Sequence, residues 1–438
     1  MIFEKELECM DKETMKALQL KRLQDTVECV YHKVPFYKKR LDGIGMTPDK
    51  FKTLDDLKEI PYTTKEDLRE NYPFDMFAVP MKEVVRIHGS SGTTGKPTVV
   101  GYTKKDIDTW ATLIARIAAM TGVTDDDIAQ IAFGYGLFTG GFGLHYGLEK
   151  LGATVVPLSS GNTEKQLMLM KDFGTTVLVC TPSYAMHIAE VSKELGYKRE
   201  DFKLRIGLFG GEGSTNEMRE EIEKRLGILA TENYGMSELI GPGVSGECYC
   251  KCGMHINEDH FIPEIINSDS GAVINPSDRG ELVFTTLTKE AYPLLRYRTK
   301  DISYLIDEPC ACGRTLIRMA KIQGRSDDML IIKGVNVFPS QIEGVLLTIT
   351  QISPHYQIIV TKNGYTDALE VQVELIDGSM LERYRELEDL TKAIRHKLHT
   401  VLGIDVKVKL VEPKTIERFV GKAKRVIDNR KIGENINE

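Results

Sequence analysis

The strongest constraint on this chain is a change of period between Val84 and about Tyr234. Short apolar runs rich in β-branched residues, "DIAQIAF", "ATVVPL", "TTVLVCTP" and "LRIGLFGG", alternate there with longer amphipathic stretches such as "DIDTWATLIARIAAMTG" and "TNEMREEIEKRLG". Short continuous apolar runs suit strands buried on both faces, and the stretches between them carry the spacing of helices that cover such strands. The alternation predicts an α/β fold with helices packed on a largely parallel sheet. Before it, the first 80 residues read as polar helices broken by the turn signals "GIGMTPD" and "EIPYTTKEDL". After it, "GELVFTTL" opens a second β region.

Beyond Asp327 the texture changes again. "MLIIKGVNVFP", "YQIIVTK", "LEVQVEL" and "DVKVKLVEP" read as strands, and "PSQIEGVLL" and "LERYRELEDLTKAIRHKLHTVLG" as helices. They form a compact α+β unit of ordinary domain size. The boundary is placed at Gly324-Arg325-Ser326-Asp327, where a glycine precedes small and polar residues. This gives a large N-terminal domain over 1–326 and a small C-terminal domain over 327–438, joined by a stretch that suits a linker or hinge. A chain of 438 residues is expected to divide in this way.

Composition removes several function classes. The chain has 57 basic and 64 acidic residues, a net charge of −7, which argues against a nucleic-acid partner. No apolar run approaches the roughly 18 residues of a membrane span. The N-terminus, "MIFEKELECMDKETMKAL", has acids where a signal peptide has a basic region and an apolar core, so a cytoplasmic protein is expected.

The segment "RIHGSSGTTGKPTVVGYT" (86–103) concentrates glycines, hydroxyls and a lysine, the residue types that surround phosphate. It is not a Walker loop. That loop needs a glycine where Ser90 stands and a serine or threonine where Pro97 stands. Apolar β-like runs flank it, so a loop between two strands is expected, with its amides and hydroxyls free for phosphate oxygens. The competing reading is an ordinary glycine-rich turn.

"SSGTTGKP" resembles the phosphate loop of the adenylate-forming superfamily of acyl-CoA synthetases, luciferases and nonribosomal adenylation domains. Four more segments resemble motifs of that superfamily in the same order: "NYGMSE" (233–238), "RYRTKD" (296–301), "GRSDDMLIIKGVNVFPSQIE" (324–343) and "GKAKRV" (421–426). Together they span nearly the whole chain. Within the superfamily, "FGYGLFTGGFGLHYGLEKLGATVVPLSSGNTEKQL" (133–167), "DDMLIIKGVNVFPSQIE" and "FTTLTKEAYPLLRYRTKD" are similar to the phenylacetate–CoA ligase family. One departure is "FGGEG" (209–213), where that family more often has alanine and proline around the glutamate.

The resemblance implies an ATP-dependent ligase that activates a carboxylate as its acyl-adenylate and passes it to coenzyme A. Bringing two anions together makes positioning and charge neutralisation the main demands on the site. Ser90, Ser91, Gly92, Thr93, Thr94, Gly95 and Lys96 would grip the β- and γ-phosphates. Glu238 would hold Mg2+, a hard cation that prefers carboxylate and phosphate oxygen. Gly211, Glu212 and Gly213 follow the strand-like "RIGLF" and would line the nucleotide, as ligands sit beyond strand ends in open sheets. Asn233, Tyr234, Gly235, Met236 and Ser237 lead to Glu238. Tyr234 would stack on adenine or belong to the core. Asp301 would accept from the ribose hydroxyls, and Arg325 would reach ribose or phosphate. Lys422 is the expected catalytic lysine of adenylation, bridging the carboxylate and the α-phosphate. Asp327 is the expected hinge about which the small domain swings after adenylation, with the loop at Gly334 then lining the approach of coenzyme A.

Tyr135, Phe138, Gly140, Gly141 and Phe142 alternate aromatic and glycine residues. They would wall a flat slot for a ring or, on the plainer reading, begin a core helix. An aryl-acetic acid, phenylacetate first, is the substrate implied, beside benzoate-like and indole-acetic alternatives. A partner carrier protein in place of coenzyme A, or a non-catalytic member of the fold, are the competing functions. A homodimer is kept as an option.

Cys9, Cys29 and Cys180 stand alone, but "CYCKCGMH" (248–255) and "CACG" (310–313) cluster the other five cysteines. In a cytosolic chain such clustering points to metal before disulfide. Cys310 and Cys312, completed from Cys250, Cys252 and His255, would give a tetrahedral structural Zn2+ site of sulfur and nitrogen. By resemblance to relatives with a similar insert, Cys250 and His255 are the favoured partners. Free buried cysteines are the alternative.

Overall fold

The computed structural model describes residues 1–90, 97–328, 330–332, 335–363, 366–419 and 423–430. The expected loop residues Ser91 to Lys96, and with them Gly334 and Lys422, lie outside the described residues.

Helices open the chain at Lys12–Lys33 and Pro35–Gly43, as the polar N-terminal pattern predicts. A hairpin of β1 (Arg86–Gly89) and β2 (Val99–Tyr102) follows. Four strands come from the alternating region: β3 (Ile128–Ile131), β4 (Thr154–Val156), β5 (Val177–Cys180) and β6 (Ile206–Phe209). Next come β7 (Leu229–Met236), β8 (Gly241–Glu247) and β9 (Met254–Ile256), then β10 (Phe261–Ile266), β11 (Gly280–Thr286) and β12 (Tyr297–Ser303). The short β13 (Leu305–Ile306) and β14 (Arg318–Met319) complete the large part.

The main sheet has nine strands in the order β13-β14-β9-β8-β7-β6-β5-β3-β4. β4, β3, β5, β6 and β7 run parallel, and from β7 to β13 the pairing is antiparallel. The strands of the alternating region thus form the parallel half of a mixed sheet, as expected. β5 shows why the alternating runs are apolar on both faces. Val177 and Val179 enter the main core, while Leu178 and Cys180 enter a second cluster with Tyr184, Phe209 and Met218. A three-stranded antiparallel sheet, β10-β11-β12, lies beside it.

The helix Lys104–Thr121 illustrates how local sequence sets an element. Thr103 and Asp106 form a capping box at its start, and Gly122 ends it at φ +95°. It packs against the helix Gly140–Leu151 through two glycines of the latter. A Cβ at Gly143 would fall 2.4 Å from the Trp110 ring, and one at Gly147 would fall 2.2 Å from Ile114. Among the described residues no helix is long and apolar enough to cross a membrane.

After Asp327 the chain builds a separate core running from Leu330 to Val408. "MLIIKGVNVFP" yields two strands rather than one, β15 (Leu330–Ile332) and β16 (Val335–Val337), paired antiparallel. The sheet β19 (Lys407–Val411), β18 (Thr366–Leu375), β17 (Ile352–Asn363) and β20 (Val426–Asp428) carries the helices Pro339–Leu346 and Tyr384–Leu402. The large mixed α/β part and the smaller α+β part agree with the expected fold class.

Candidate active site at the carboxyl ends of the central strands

The expected nucleotide residues gather where the sheet changes from parallel to antiparallel. Gly211, Glu212 and Gly213 leave the carboxyl end of β6, with Gly211 at φ +82°. β7 carries Asn233, Tyr234, Gly235 and Met236, and Ser237 and Glu238 follow it. The two strand ends are tied together, because Asn233 Nδ2 donates to the Phe209 carbonyl at 2.8 Å. Ser237 Oγ lies 3.1 Å from Thr139 Oγ1, which fixes this turn against the start of the helix Gly140–Leu151.

The glycine segment stands between two strands, as its sequence predicts. β1 and β2 pair antiparallel from Arg86–Tyr102 to Gly89–Val99. At the mouth, the Ser90 amide donates to the Thr98 carbonyl at 3.0 Å and the Thr98 amide to Ser90 Oγ at 3.2 Å. The Ser90 hydroxyl is thus part of the clamp that closes the loop.

Glu238 is 3% exposed. Its carboxylate meets no hydrogen-bond donor and no cation among the described residues. Its charge instead bears on Tyr102, Tyr292 and Tyr297, whose phenols are pushed up by burial first and by Glu238 next or, for Tyr102, further down. A carboxylate at a strand end that is not used by a protein donor is open to a bound cation.

Asp301 sits on β12 at 6% exposure. Its Oδ2 accepts from the Tyr234 hydroxyl at 2.7 Å and its Oδ1 from Arg325 at 2.9 Å. Burial, with Asp301 beside it, pushes the Tyr234 phenol well up, so it stays a donor. The Tyr234 ring belongs to the main core, 6.2 Å from Phe284. Its hydroxyl, held at 2.7 Å from Oδ2, orients the Asp301 carboxylate. The Arg325 guanidinium also donates to both oxygens of Asp327, at 2.9 and 3.1 Å, and so joins Asp301 to Asp327.

The aromatic segment forms one connected cluster. Tyr135 and Phe142 meet edge to face at 5.2 Å, and the Tyr135 hydroxyl contacts His145 Nδ1 at 3.0 Å. Arg86 lies over Phe142 and Tyr146, and His88 stands 5.7 Å from Phe142. Phe138 is half-buried beside Gly140, where a Cβ would come 2.8 Å from its ring. Gly141 is equally constrained, 3.0 Å from the Gly134 carbonyl. Gly140 and Gly141 begin the helix Gly140–Leu151 and are buried.

The cysteines correct the expectation. Cys248, His255, Cys310 and Cys312 bring their ligand atoms within 4.8 Å of one another. Cys250 and Cys252 are not in this group. Cys248 immediately follows β8, whose last pairs are Gly246–His255 and Glu247–Met254, so it stays beside His255. Cys250 packs against the edge of this cluster, and past it the turn with Lys251 at φ +52° and Gly253 at φ +96° leaves Cys252 exposed. His255 is oriented for ligation. Its Nδ1 faces the Leu316 carbonyl at 3.3 Å, leaving Nε2 3.4 Å from Cys312 Sγ. Cys248 and Cys310 sulfurs are 3.7 Å apart. Three sulfurs and one imidazole nitrogen at this spacing fit a tetrahedral zinc ion. The signal for Cys248 was the C-x-C-x-C run itself, but only the end of β8 decides which member turns inward.

Sequence reasoning also missed a set of polar contacts between the two parts of the chain. His355 Nε2 lies 2.7 Å from Glu190, Lys414 pairs with Glu194 at 2.9 Å, and Arg425 donates to Ser183 Oγ at 3.0 Å. Single surface charges carry no mark of their partners in a sequence.

Comparison with known proteins agrees with this geometry. The family described as AMP-binding enzyme matches residues 26–287, and the AMP-binding enzyme C-terminal domain matches residues 334–430. The phenylacetate-coenzyme A ligase of Escherichia coli (strain K12) is 49% identical over 428 residues, 97% of each chain. The crystal structure of 2-hydroxyisobutyryl-CoA ligase in the postadenylation state with 2-HIB-AMP superposes with a TM-score of 0.92 at 29% identity, covering 98% of this chain and 92% of that one. The same ligase with 2-HIB-AMP and CoA in the thioesterification state, at the same identity and coverage, superposes with a TM-score of 0.71. From its motifs, its strand-end site and its near end-to-end likeness to these ligases, the chain belongs to the AMP-binding enzyme family, on the branch of the phenylacetate-coenzyme A ligases.

Proposed function

We propose that this chain activates an aryl-acetic acid, phenylacetate first, as its acyl-adenylate with ATP, and then passes the acyl group to coenzyme A. In the first step a carboxylate oxygen attacks the α-phosphorus and pyrophosphate leaves. In the second the coenzyme A thiolate attacks the acyl carbon and the bond to AMP breaks. The observation that carries the reading is Glu238. A carboxylate 3% exposed and without a protein partner among the described residues, at the end of β7, is the donor a magnesium–phosphate complex needs.

The other roles follow. Asp301, held by Tyr234 and Arg325, would accept from the ribose hydroxyls. The loop 91–96, closed at its mouth by Ser90 and Thr98, would surround the β- and γ-phosphates. Lys422 would neutralise charge between carboxylate and α-phosphate in the first step alone. Tyr135, Phe138 and Phe142 would face the aryl ring. Residues 1–326 and 327–438 would be the two domains, turning about Asp327. Cys248, His255, Cys310 and Cys312 would hold a zinc ion that pins the β8–β9 hairpin to the 310–312 loop, apart from the chemistry.

The test is acid-dependent exchange of pyrophosphate into ATP, followed by coenzyme A consumption, across a panel of aryl-acetic and benzoic acids. Phenylacetate should support both. Exchange without coenzyme A consumption would point to a carrier protein as acceptor, and no exchange with any acid would overturn the reading.

A further inference from the structure

Glu212 stands where the sequence suggests a nucleotide contact, yet its carboxylate is used elsewhere. Oε1 accepts from the Ser183 amide at 2.8 Å, and Oε2 accepts from the Ala423 amide at 3.0 Å. Ser183 lies in the first turn of the helix Pro182–Glu194, where backbone amides have no partner within the helix. Ala423 belongs to the small part of the chain and directly follows Lys422. One side chain thus joins the two parts at the residue next to the expected catalytic lysine.

The surroundings reinforce the junction. Arg425, two residues further on, donates to Ser183 Oγ at 3.0 Å and to the Tyr356 hydroxyl at 2.7 Å, and pairs with Glu343. The guanidinium lies over the Tyr356 ring at 4.6 Å. Glu343 and Tyr356 belong to the small part, so Arg425 is anchored there and reaches across to Ser183. Ser183 is therefore held twice, through its amide by Glu212 and through its hydroxyl by Arg425. The arrangement matches the postadenylation form of 2-hydroxyisobutyryl-CoA ligase far better than its thioesterification form, with TM-scores of 0.92 and 0.71. The contacts between the two parts are thus seen in an arrangement like that of the postadenylation form.

We propose that Glu212 is a positioning residue, a latch that ties Ala423, the neighbour of Lys422, to the large part of the chain during adenylation and must let go before thioester formation. This rests on the two-step function proposed above. A carboxylate is the right group for a reversible latch. It accepts on both oxygens at once without a proton, whereas a glutamine of equal size offers one acceptor and turns a donor toward the second amide. Glu212→Gln should therefore break one of the two bridges while leaving the strand end and its shape intact.

The experiment measures the half-reactions separately on the full chain. Glu212→Gln should lower acid-dependent pyrophosphate exchange by about tenfold or more, the usual weight of one hydrogen bond to a charged group. Thioester formation from preformed phenylacetyl-adenylate and coenzyme A should stay within about twofold of wild type or rise, which also shows that the variant is folded. Hydrogen–deuterium exchange, read without substrate, should show faster exchange of the segments holding Ser183 and Ala423 in Glu212→Ala. An equal fall in both half-reactions, a rise in the KM for ATP alone, or unchanged exchange of both segments would overturn the latch. Wild-type protein lacking pyrophosphate exchange, with the segments still loosened in Glu212→Ala, would overturn the function and keep the latch.

Discussion

Replacing Tyr234 by phenylalanine removes one atom, the hydroxyl that donates to Asp301 Oδ2 at 2.7 Å. The ring stays, and so does its packing against Phe284 in the main core. A hydrogen bond to an ionised group contributes about 1.5–3 kcal/mol. Arg325 still donates to the other oxygen of Asp301 at 2.9 Å, so the carboxylate keeps a charged partner and the loss falls at the lower end, about 1.5 kcal/mol. If Asp301 accepts from ribose equally before and during reaction, that loss is uniform binding. It should appear as a KM for ATP raised about tenfold, with kcat nearly unchanged. Steady-state kinetics at saturating acid and coenzyme A measures this directly. A double-mutant cycle with Asp301→Asn adds a second check, since the two effects should fall well short of adding. An unchanged KM for ATP in Tyr234→Phe, beside a large rise in Asp301→Asn, would show that the tyrosine does not position the carboxylate. A rise in the KM for the acid alone would remove Asp301 from the nucleotide site.

Three further outcomes are expected. Cys248→Ser should strip zinc from the purified protein, as read by metal analysis, while Cys250→Ser should retain about one ion per chain, because the Cys248 sulfur, not that of Cys250, lies within 4.8 Å of the ligand atoms of His255, Cys310 and Cys312. Lys422→Ala should lower pyrophosphate exchange by roughly a hundredfold or more, and leave thioester formation from preformed adenylate largely intact. Lys289 is fully buried over the Tyr102 ring, and burial, against the pull of Asp106, brings its ammonium down from 10.5 to about 8. Between those values the unfolded chain binds the extra proton, so stability should rise with pH from about 8 to 10.5. Asp106 keeps the amides of Thr103, Glu290 and Ala291, so Lys289→Met should be the more stable protein below pH 8 by up to about 3 kcal/mol. Urea unfolding should show that advantage fading as the pH approaches 10.5.

What the sequence made legible follows from the range of the interactions involved. "TTVLVC" announces β5 because its two faces must both be apolar, and that need is local. "NYGMSE" and "RYRTKD" announce the site because they are contiguous. Tyr234 was readable as a site residue, but its service to Asp301 depends on a contact 67 positions away. Cys248 was hidden by its two neighbours of identical type, and only the place where β8 stops paired separates them. "MLIIKGVNVFP" reads as one strand only if its Lys333-Gly334 is passed over, the two-residue signal that separates β15 from β16. The strand β20 was missed because three residues inside a basic, lysine-rich segment carry no period of their own.

That small strand has a mechanical consequence. β20 pairs parallel with β17, Ile358 with Val426 through Val360 with Asp428, and the Ile358 amide also donates to the Arg425 carbonyl. Lys422 stands four residues ahead of this edge. The chain is therefore anchored to the edge of β17 from Arg425 onward. If Lys422 is the adenylation lysine and the small part turns as proposed, that anchor would make the following residues move with the sheet. The two chemical steps would be kept apart in time by the stiffness of a β-sheet edge. Lengthening the 420–425 connection should blur that separation before it weakens either step alone.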